Sequence, residues 1–247
     1  MSTSSMAPTA VRTGHDTRGY WRVLLALAAP TGWLTVGIVN AFTPYPLAGS
    51  TAENVAGIAA HPDRMRVLLD VEPLFLFTFV PGVIALVVAC RRARPLFTAI
   101  LGTLGILGAL AGTFNPPVDL FILLGLDHGI GRDQLATVAD AIGNSKLSWT
   151  LVFTFLFITF GRVAAGVLLW TAKVGPRSLA VLMAVSPVIE FGGQALGLGN
   201  AAPAAAWIAS GIAMFGVTAT LLTMPNDEFD LPARQGPIDR QPTAAGD

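Results

Sequence analysis

Long apolar stretches dominate this sequence, and they restrict the available folds more than any other feature. Six of them have the length of a membrane-crossing helix: 22–43, 67–90, 96–114, 147–171, 178–198 and 204–224. A helix needs about 20 predominantly apolar residues to cross the hydrocarbon core of a bilayer. A membrane-spanning strand alternates apolar and polar residues, and these stretches do not. The sequence therefore predicts an all-α fold, a polytopic bundle of six transmembrane helices.

The charge content agrees with a lipid environment. Only 12% of the residues are charged, whereas a soluble domain usually has about 25%. The 15 Lys and Arg residues balance 15 Asp and Glu residues, and a nucleic-acid-binding protein would carry a basic excess. We expect the lipid bilayer as the main partner and no nucleic acid.

The basic residues predict how the chain is oriented. Ten lie in the N-terminal tail, in the loops after the second and fourth stretches and in the C-terminal tail, against four in the remaining loops. Cytoplasmic loops carry the excess of Lys and Arg, so both termini should be cytoplasmic in a multi-pass protein of the cell membrane.

The chain divides accordingly into a transmembrane domain and two tails. The domain covers 20–225, with external loops at 44–66 and 115–146. The polar tails, 1–19 and 226–247, are predicted to be disordered and cytoplasmic.

The first external loop contains a signal for a short helix. Ser50 precedes Glu53 by three residues, which is the spacing of a capping box. The helix should run from Thr51 to about Ala60, because the residue before Pro62 avoids the helical conformation.

Sequence patterns in the second external loop predict two further short elements. Its apolar residues Leu135, Val138, Ala139 and Ile142 recur at helical spacing and form one stripe. The seven apolar residues 120–126 are too few to cross, and we interpret them as a re-entrant or interfacial segment. The helix at 51–60 and the helix with the Leu135–Ile142 stripe are expected to lie on the outer rim of the bundle.

Two ionisable side chains lie deep inside predicted spans, Arg162 in the fourth and Glu190 in the fifth. At about 1.5 Å per residue they lie roughly 13 Å and roughly 18 Å from the cytoplasmic ends of their helices. An unpaired charge at a helix centre costs about 2.5–3.5 kcal/mol on insertion scales. Because a short loop makes the two spans antiparallel neighbours, we predict that Arg162 and Glu190 form an ion pair.

The ion pair belongs to a predicted polar ridge. Ser186, Glu190 and Gln194 follow one another at four-residue spacing, so they share one face of the fifth span. Together with Arg162 they are the candidate substrate-binding residues. There are two alternatives. The pair has only a structural role in holding the helices together, or a span boundary is misplaced and one of the charges lies at the membrane interface.

Carboxylic acids are also the candidate catalytic groups. Asp70 and Glu72 lie near the start of the second span, Asp127 follows the third, and Glu190 is intramembrane. Desolvation raises the pKa of a carboxylic acid, which suits it to general acid catalysis. The alternative is that the interfacial acids hydrate loop ends and cap helices.

Metal and cofactor motifs are not found in the sequence. There is one cysteine, Cys90, and the three histidines are far apart. Phosphate-binding glycine loops and nucleophile elbows are also missing. We therefore expect no cofactor and no metal. Most tryptophans fall near span ends, where indoles settle at the interface, but Trp33 lies midway along the first span.

Two segments resemble a bacterial family of six-helix integral membrane proteins of unknown function. "TAENVAGIAAHPDRMRVLLDV" (Thr51–Val71) is similar to that family's loop into span two. "VGPRSLAVLMAVSPVIEFGG" (Val174–Gly193) is similar to its Pro-Arg turn and the following span. The family, still uncharacterised, has no established activity, so the resemblance implies the architecture only.

Three functions follow from these features. The first is binding or transport of a small molecule or lipid-like ligand between the spans; six helices are few for a transporter, so transport would predict a homodimer. The second is an accessory or structural membrane protein without a substrate. The third is a membrane-embedded enzyme that uses its carboxylic acids on an apolar isoprenoid or lipid.

Overall fold

The computed structural model describes residues 16–113, 117–145 and 149–230, and within them the side chains of all residues except 112–113, 149–158 and 227. The predictions for most of both tails lie outside the described residues. In the described part of the chain all regular structure is helical, so the all-α prediction is confirmed.

Six long helices lie at the six predicted apolar stretches. They are α1 (Arg18–Phe42), α3 (Pro62–Cys90), α4 (Pro95–Thr113), α7 (Trp149–Ala172), α8 (Arg177–Ala195) and α9 (Ala201–Thr223). The short helices are α2 (Thr51–Ala60), α5 (Val118–Asp127), α6 (Arg132–Gly143) and α10 (Asn226–Phe229).

Four of the long helices, α1, α3, α8 and α9, are long and apolar enough to cross a membrane. The described apolar part of α4 is shorter, Pro95–Ala111, and the side chains of α7 are described only from Thr159 onward. The chain is therefore a helical protein with the character of a membrane protein.

The long helices pack as a closed ring in the order α1, α3, α4, α7, α8, α9 and back to α1. Their inward faces form the main hydrophobic core, which includes Trp33, Phe79, Leu168, Met183 and Met214. Large apolar side chains also point outward from the ring, among them Phe77 and Val188. An apolar exterior around an apolar interior is typical of a helix bundle that has lipid as its solvent.

Both ends of the described chain lie at one end of the ring, here called the terminal end. Arg18 at the start of α1 forms a salt bridge of 2.9 Å to Asp230. Arg22 donates to the carbonyl of Met224 after α9, and Arg91 after α3 donates to that of Phe229. The start of α1, the end of α3 and the end of α9 therefore meet there.

The short helices build a second, separate core at the opposite end of the ring. Helices α2, α5 and α6 pack on one another and on the beginning of α3, and we call this unit the cap. Its buried residues are Val55, Ile58, Met65, Leu68, Ile122, Leu123, Leu135 and Ala139.

The cap refines two predictions. The apolar segment 120–126 lies in α5, which packs in the cap against α2, α6 and α3, and its re-entrant or interfacial position stays a prediction. The predicted stripe on α6 is present in part: Leu135 and Ala139 are buried, but Val138 is exposed.

The boundary of α2 is as predicted. The Ser50 side chain accepts from the amide of Glu53, and the Glu53 carboxylate accepts from the Ser50 amide at 2.7 Å. The hydrogen bonds that the Ser50 amide and hydroxyl donate to this carboxylate hold the pKa of Glu53 below its ordinary value. The helix ends at Ala60, and α3 begins with Pro62 at its first position, where proline loses no helical hydrogen bond.

Candidate functional site

Arg162 on α7 and Glu190 on α8 form the predicted ion pair. Nη2 of Arg162 donates to Oε2 of Glu190. The Arg162 side chain is 1% exposed and that of Glu190 is 16% exposed. The guanidinium is thus inside the ring, while the carboxylate reaches its surface.

A glycine allows α7 and α8 to approach closely enough for this pair. A Cβ atom at Gly166 would lie 2.6 Å from the Cβ of Ala184 and 2.7 Å from the carbonyl oxygen of Ala180. Gly166 is one turn from Arg162, so the ion pair forms where the two backbones nearly touch. The tight turn between the helices includes Gly175 at φ 70°, a conformation that glycine adopts without strain.

Aromatic rings complete the surroundings of the guanidinium. The Cζ atom of Arg162 lies 5.0 Å from the ring centroid of Trp207 on α9, a cation–π contact. Trp207 in turn lies 5.4 Å from Trp33, and Trp33 lies 4.8 Å from Phe79, centroid to centroid. The interior position of Trp33 was indicated by the sequence, but nothing there singled out Trp207, six residues into its helix.

The predicted ridge on α8 divides into an inner and an outer part. Ser186 is buried; its hydroxyl donates to the carbonyl of Met183 and accepts from Ser210 of α9, both at 2.8 Å. Glu190 lies at the bundle surface, and Gln194 is exposed one turn further on. The structure therefore brings Arg162 and Glu190 together. Ser186 instead bonds to α9, and Gln194 is exposed at the bundle surface.

The candidate acids have different partners. Asp127 at the end of α5 accepts from Arg66 at 2.7 Å, and Glu190 accepts from Arg162. Asp70 and Glu72 are exposed on α3, whereas Glu190 is on α8, between α7 and α9. The four acids do not assemble around one another.

A further acidic contact, outside the candidate set, holds the cap to the ring. The Tyr45 hydroxyl donates to Asp119 at 2.5 Å. Burial, together with the negative charge of Asp119, raises the pKa of Tyr45. Burial also raises the pKa of Asp119, although the hydrogen bond from Tyr45 opposes the shift. Sequence spacing gives no sign of this contact, since its residues are 74 positions apart.

Within the described ranges, no three His, Cys, Asp or Glu residues come together as metal ligands. The single cysteine, Cys90, is buried in the main core. The chemistry that the site offers is therefore a charged pair in an apolar bundle, with its carboxylate accessible and its guanidinium enclosed.

No protein-family model, no curated protein and no solved structure matches the chain, and the resemblance to a bacterial family stays a prediction.

Proposed function

We propose that the chain is a multi-pass protein of the cell membrane with six spans. Beyond the four helices of sufficient length and hydropathy, α4 has 19 residues and α7 has 24. At 1.5 Å per residue these helices are roughly 28 and roughly 36 Å long, close to or above the ~30 Å of a hydrocarbon core. Both are members of the closed ring, and a ring member of this length crosses with its neighbours.

We place the terminal end in the cytoplasm. It carries Arg18, Arg22, Arg91 and Arg92. Each of these arginines donates a hydrogen bond to the segment 224–230 that follows α9. The positive-inside rule assigns such an end to the cytoplasm and the cap to the outside.

Cysteine labelling tests this topology. In a Cys90→Ser background, Gln134→Cys lies on the cap and Ala93→Cys at the terminal end, both at exposed positions. A membrane-impermeant maleimide should label Gln134→Cys in intact cells, and Ala93→Cys only after permeabilisation. The reverse pattern, or labelling of both in intact cells, would refute the topology.

The function that the geometry favours is binding of a small molecule at the Arg162–Glu190 pair. One observation carries this proposal: the buried guanidinium holds Oε2 of Glu190, while that carboxylate stays partly exposed at the bundle surface. A carboxylate accepts hydrogen bonds at both oxygens, and no other described residue donates to Glu190. A ligand that approaches from the surface meets an acceptor first.

The surroundings specify the class of ligand. Val188 and Ile189 beside Glu190 are exposed and apolar, and Gln194 offers an amide one turn away. An apolar molecule with an ammonium or another hydrogen-bond donor matches this arrangement, because its chain contacts the apolar surface while its donor reaches Glu190. Transport of such a molecule by a six-helix chain would involve a homodimer.

Decylamine is a suitable probe, with decanol as the control that lacks the ammonium group. Calorimetric titration of the purified protein in detergent should show saturable binding of decylamine and much weaker binding of decanol. Glu190→Gln should abolish binding, and Glu72→Gln, an exposed carboxylate on α3, should leave it unchanged.

A second variant tests the site without breaking the ion pair, so its result does not depend on whether Glu190→Gln folds. Gln194→Leu keeps the ion pair and should weaken decylamine binding several-fold. Equal binding of decylamine to the wild type and to both variants would refute the proposal.

A structural role is the second candidate, and a different observation favours it. Three contacts connect α7, α8 and α9. They are the Arg162–Glu190 pair, the contact of Arg162 with Trp207, and the hydrogen bond between Ser186 and Ser210. Replacing a buried ion pair by apolar residues of similar volume is often neutral or stabilising. A stable double variant Arg162→Met/Glu190→Leu that still binds decylamine would favour this candidate, and one that is stable but binds none would favour the ligand site.

A further inference from the structure

An open pocket of 310 Å³ lies at the cap end of the ring, away from the Arg162–Glu190 pair. It lies between the segment after α1, the junction of α2 and α3, and the loop between α8 and α9. Thr43 and Tyr45 line it from the first, His61 and Arg64 from the second, and Gly199 and Asn200 from the third. Its volume is at the lower end of the range of small-molecule sites.

Asn200 fixes the wall of the pocket. Its Nδ2 donates to the carbonyls of Tyr45 at 2.7 Å and Thr43 at 3.3 Å. Its Oδ1 accepts from the amide of Leu47 at 2.9 Å. One side chain thus binds the loop between α8 and α9 to the segment after α1, so the pocket is built into the fold.

Arg64 brings positive charge to the pocket and has no salt bridge among the described residues. Arg64 is exposed and lies over the ring of Phe42, with its Cζ 5.7 Å from the ring centroid. In the described part of the chain no Asp or Glu forms a salt bridge with it, since the adjacent Asp63 pairs with Arg66.

A second donor, His61, lies on the same side of the pocket. His61 is exposed, and its imidazole can donate a hydrogen bond from a ring N–H.

We propose that this pocket binds a phosphate group, with Arg64 as the principal donor and His61 as the second. Guanidinium matches the geometry of phosphate oxygens through paired N–H donors. The pocket is larger than a phosphate alone needs, and Phe42, 55% exposed beside Arg64, offers an apolar contact. The site therefore accepts a phosphate that carries an organic part, such as a phospholipid headgroup, as well as the free ion.

Calorimetric titration of the purified full chain in nonionic detergent tests the proposal. The probes are short-chain phosphatidylglycerol, the diacylglycerol with the same chains, and inorganic phosphate. Phosphatidylglycerol should bind saturably and diacylglycerol should not. Binding of inorganic phosphate with the same dependence on Arg64 would identify the free ion as sufficient, and its failure to bind would identify the headgroup as the ligand.

Two arginine variants decide the outcome. Arg64→Gln should weaken phosphatidylglycerol binding by about tenfold or more, the loss of a charge-assisted hydrogen bond. Arg132→Gln removes an exposed arginine of α6 outside the pocket and should bind as the wild type does. The proposal is wrong if neither phosphate probe binds, or if Arg64→Gln and Arg132→Gln change binding equally.

Discussion

Two of the arginine–carboxylate pairs in the described residues, Arg162–Glu190 and Arg66–Asp127, are alike in chemistry and different in surroundings. Arg162–Glu190 joins α7 and α8, with the guanidinium inside the ring and the carboxylate at its surface; the exposed fractions are 1% and 16%. Arg66–Asp127 joins α3 and α5 in the cap at 2.7 Å, with exposed fractions of 45% and 40%. Both members of the second pair are exposed, whereas in the first pair the guanidinium is buried and only the carboxylate is partly exposed. The comparison shows that burial determines how much stability is lost when one member of an ion pair is removed: much for a buried pair, little for an exposed one.

The largest expected effect comes from removing one member of the buried pair. Arg162→Leu leaves the Glu190 carboxylate beside apolar surface, and Glu190→Leu leaves the guanidinium enclosed. Each single variant should lose about 3–5 kcal/mol of stability. Denaturation in detergent micelles, followed by circular dichroism, measures this loss. Wild-type stability of either variant would show that the buried pair is as replaceable as an exposed one.

The next effect concerns the close approach that brings the buried pair together. Gly166→Ala places a methyl group against Ala184 and the backbone of Ala180, so α7 and α8 must separate. Overpacking of this kind costs about 1–3 kcal/mol. The matched control is Gly192→Ala on α8, where the added methyl group meets no atom within 4 Å. If both variants unfold at the same temperature, backbone proximity is not what positions Arg162.

The pH dependence of the cap should give a smaller effect. Burial raises the pKa of Asp119 in the folded state, so protonated Asp119 favours the fold. Its stabilisation is full below the unfolded pKa, about 4, and is lost as the pH rises through the folded pKa. Asp119→Asn can still accept the hydrogen bond from Tyr45, but it should remove this pH dependence.

Hydrogen exchange of α5 amides across that pH range, corrected for intrinsic exchange rates, measures the effect. Asp133→Asn, an exposed acid on α6, is the control and should keep the wild-type profile. An unchanged profile in Asp119→Asn would show that this carboxyl group is not responsible.

The smallest effect is expected from the exposed pair. Arg66→Gln removes the salt bridges to Asp127 and Asp63, whose charges then remain hydrated. We expect an unfolding midpoint indistinguishable from that of the wild type at moderate salt, because solvent already screens these contacts. A loss as large as that of Arg162→Leu would remove the contrast between the two pairs.

Much of the helical structure followed from local sequence patterns. Apolar length located the six long helices, and the Ser50–Glu53 spacing predicted the start of α2. The ion pair was predictable because a buried charge needs a partner and a short loop leaves few candidates. The salt bridge of Arg66 to Asp127 and the contact of Tyr45 with Asp119 were not predictable, since each joins segments more than sixty residues apart.

The sequence by itself determined that the chain is helical and that its surroundings are apolar, and it predicted that Arg162 pairs with Glu190. These properties depend on residue type and on spacing along one helix. Only the tertiary structure decided that Trp207 lies beside the guanidinium, that the short helices share a core of their own, and that Arg64 and Asn200 line one pocket. Each of these depends on how distant segments pack, and packing is set by the fit of whole surfaces, which no local pattern encodes.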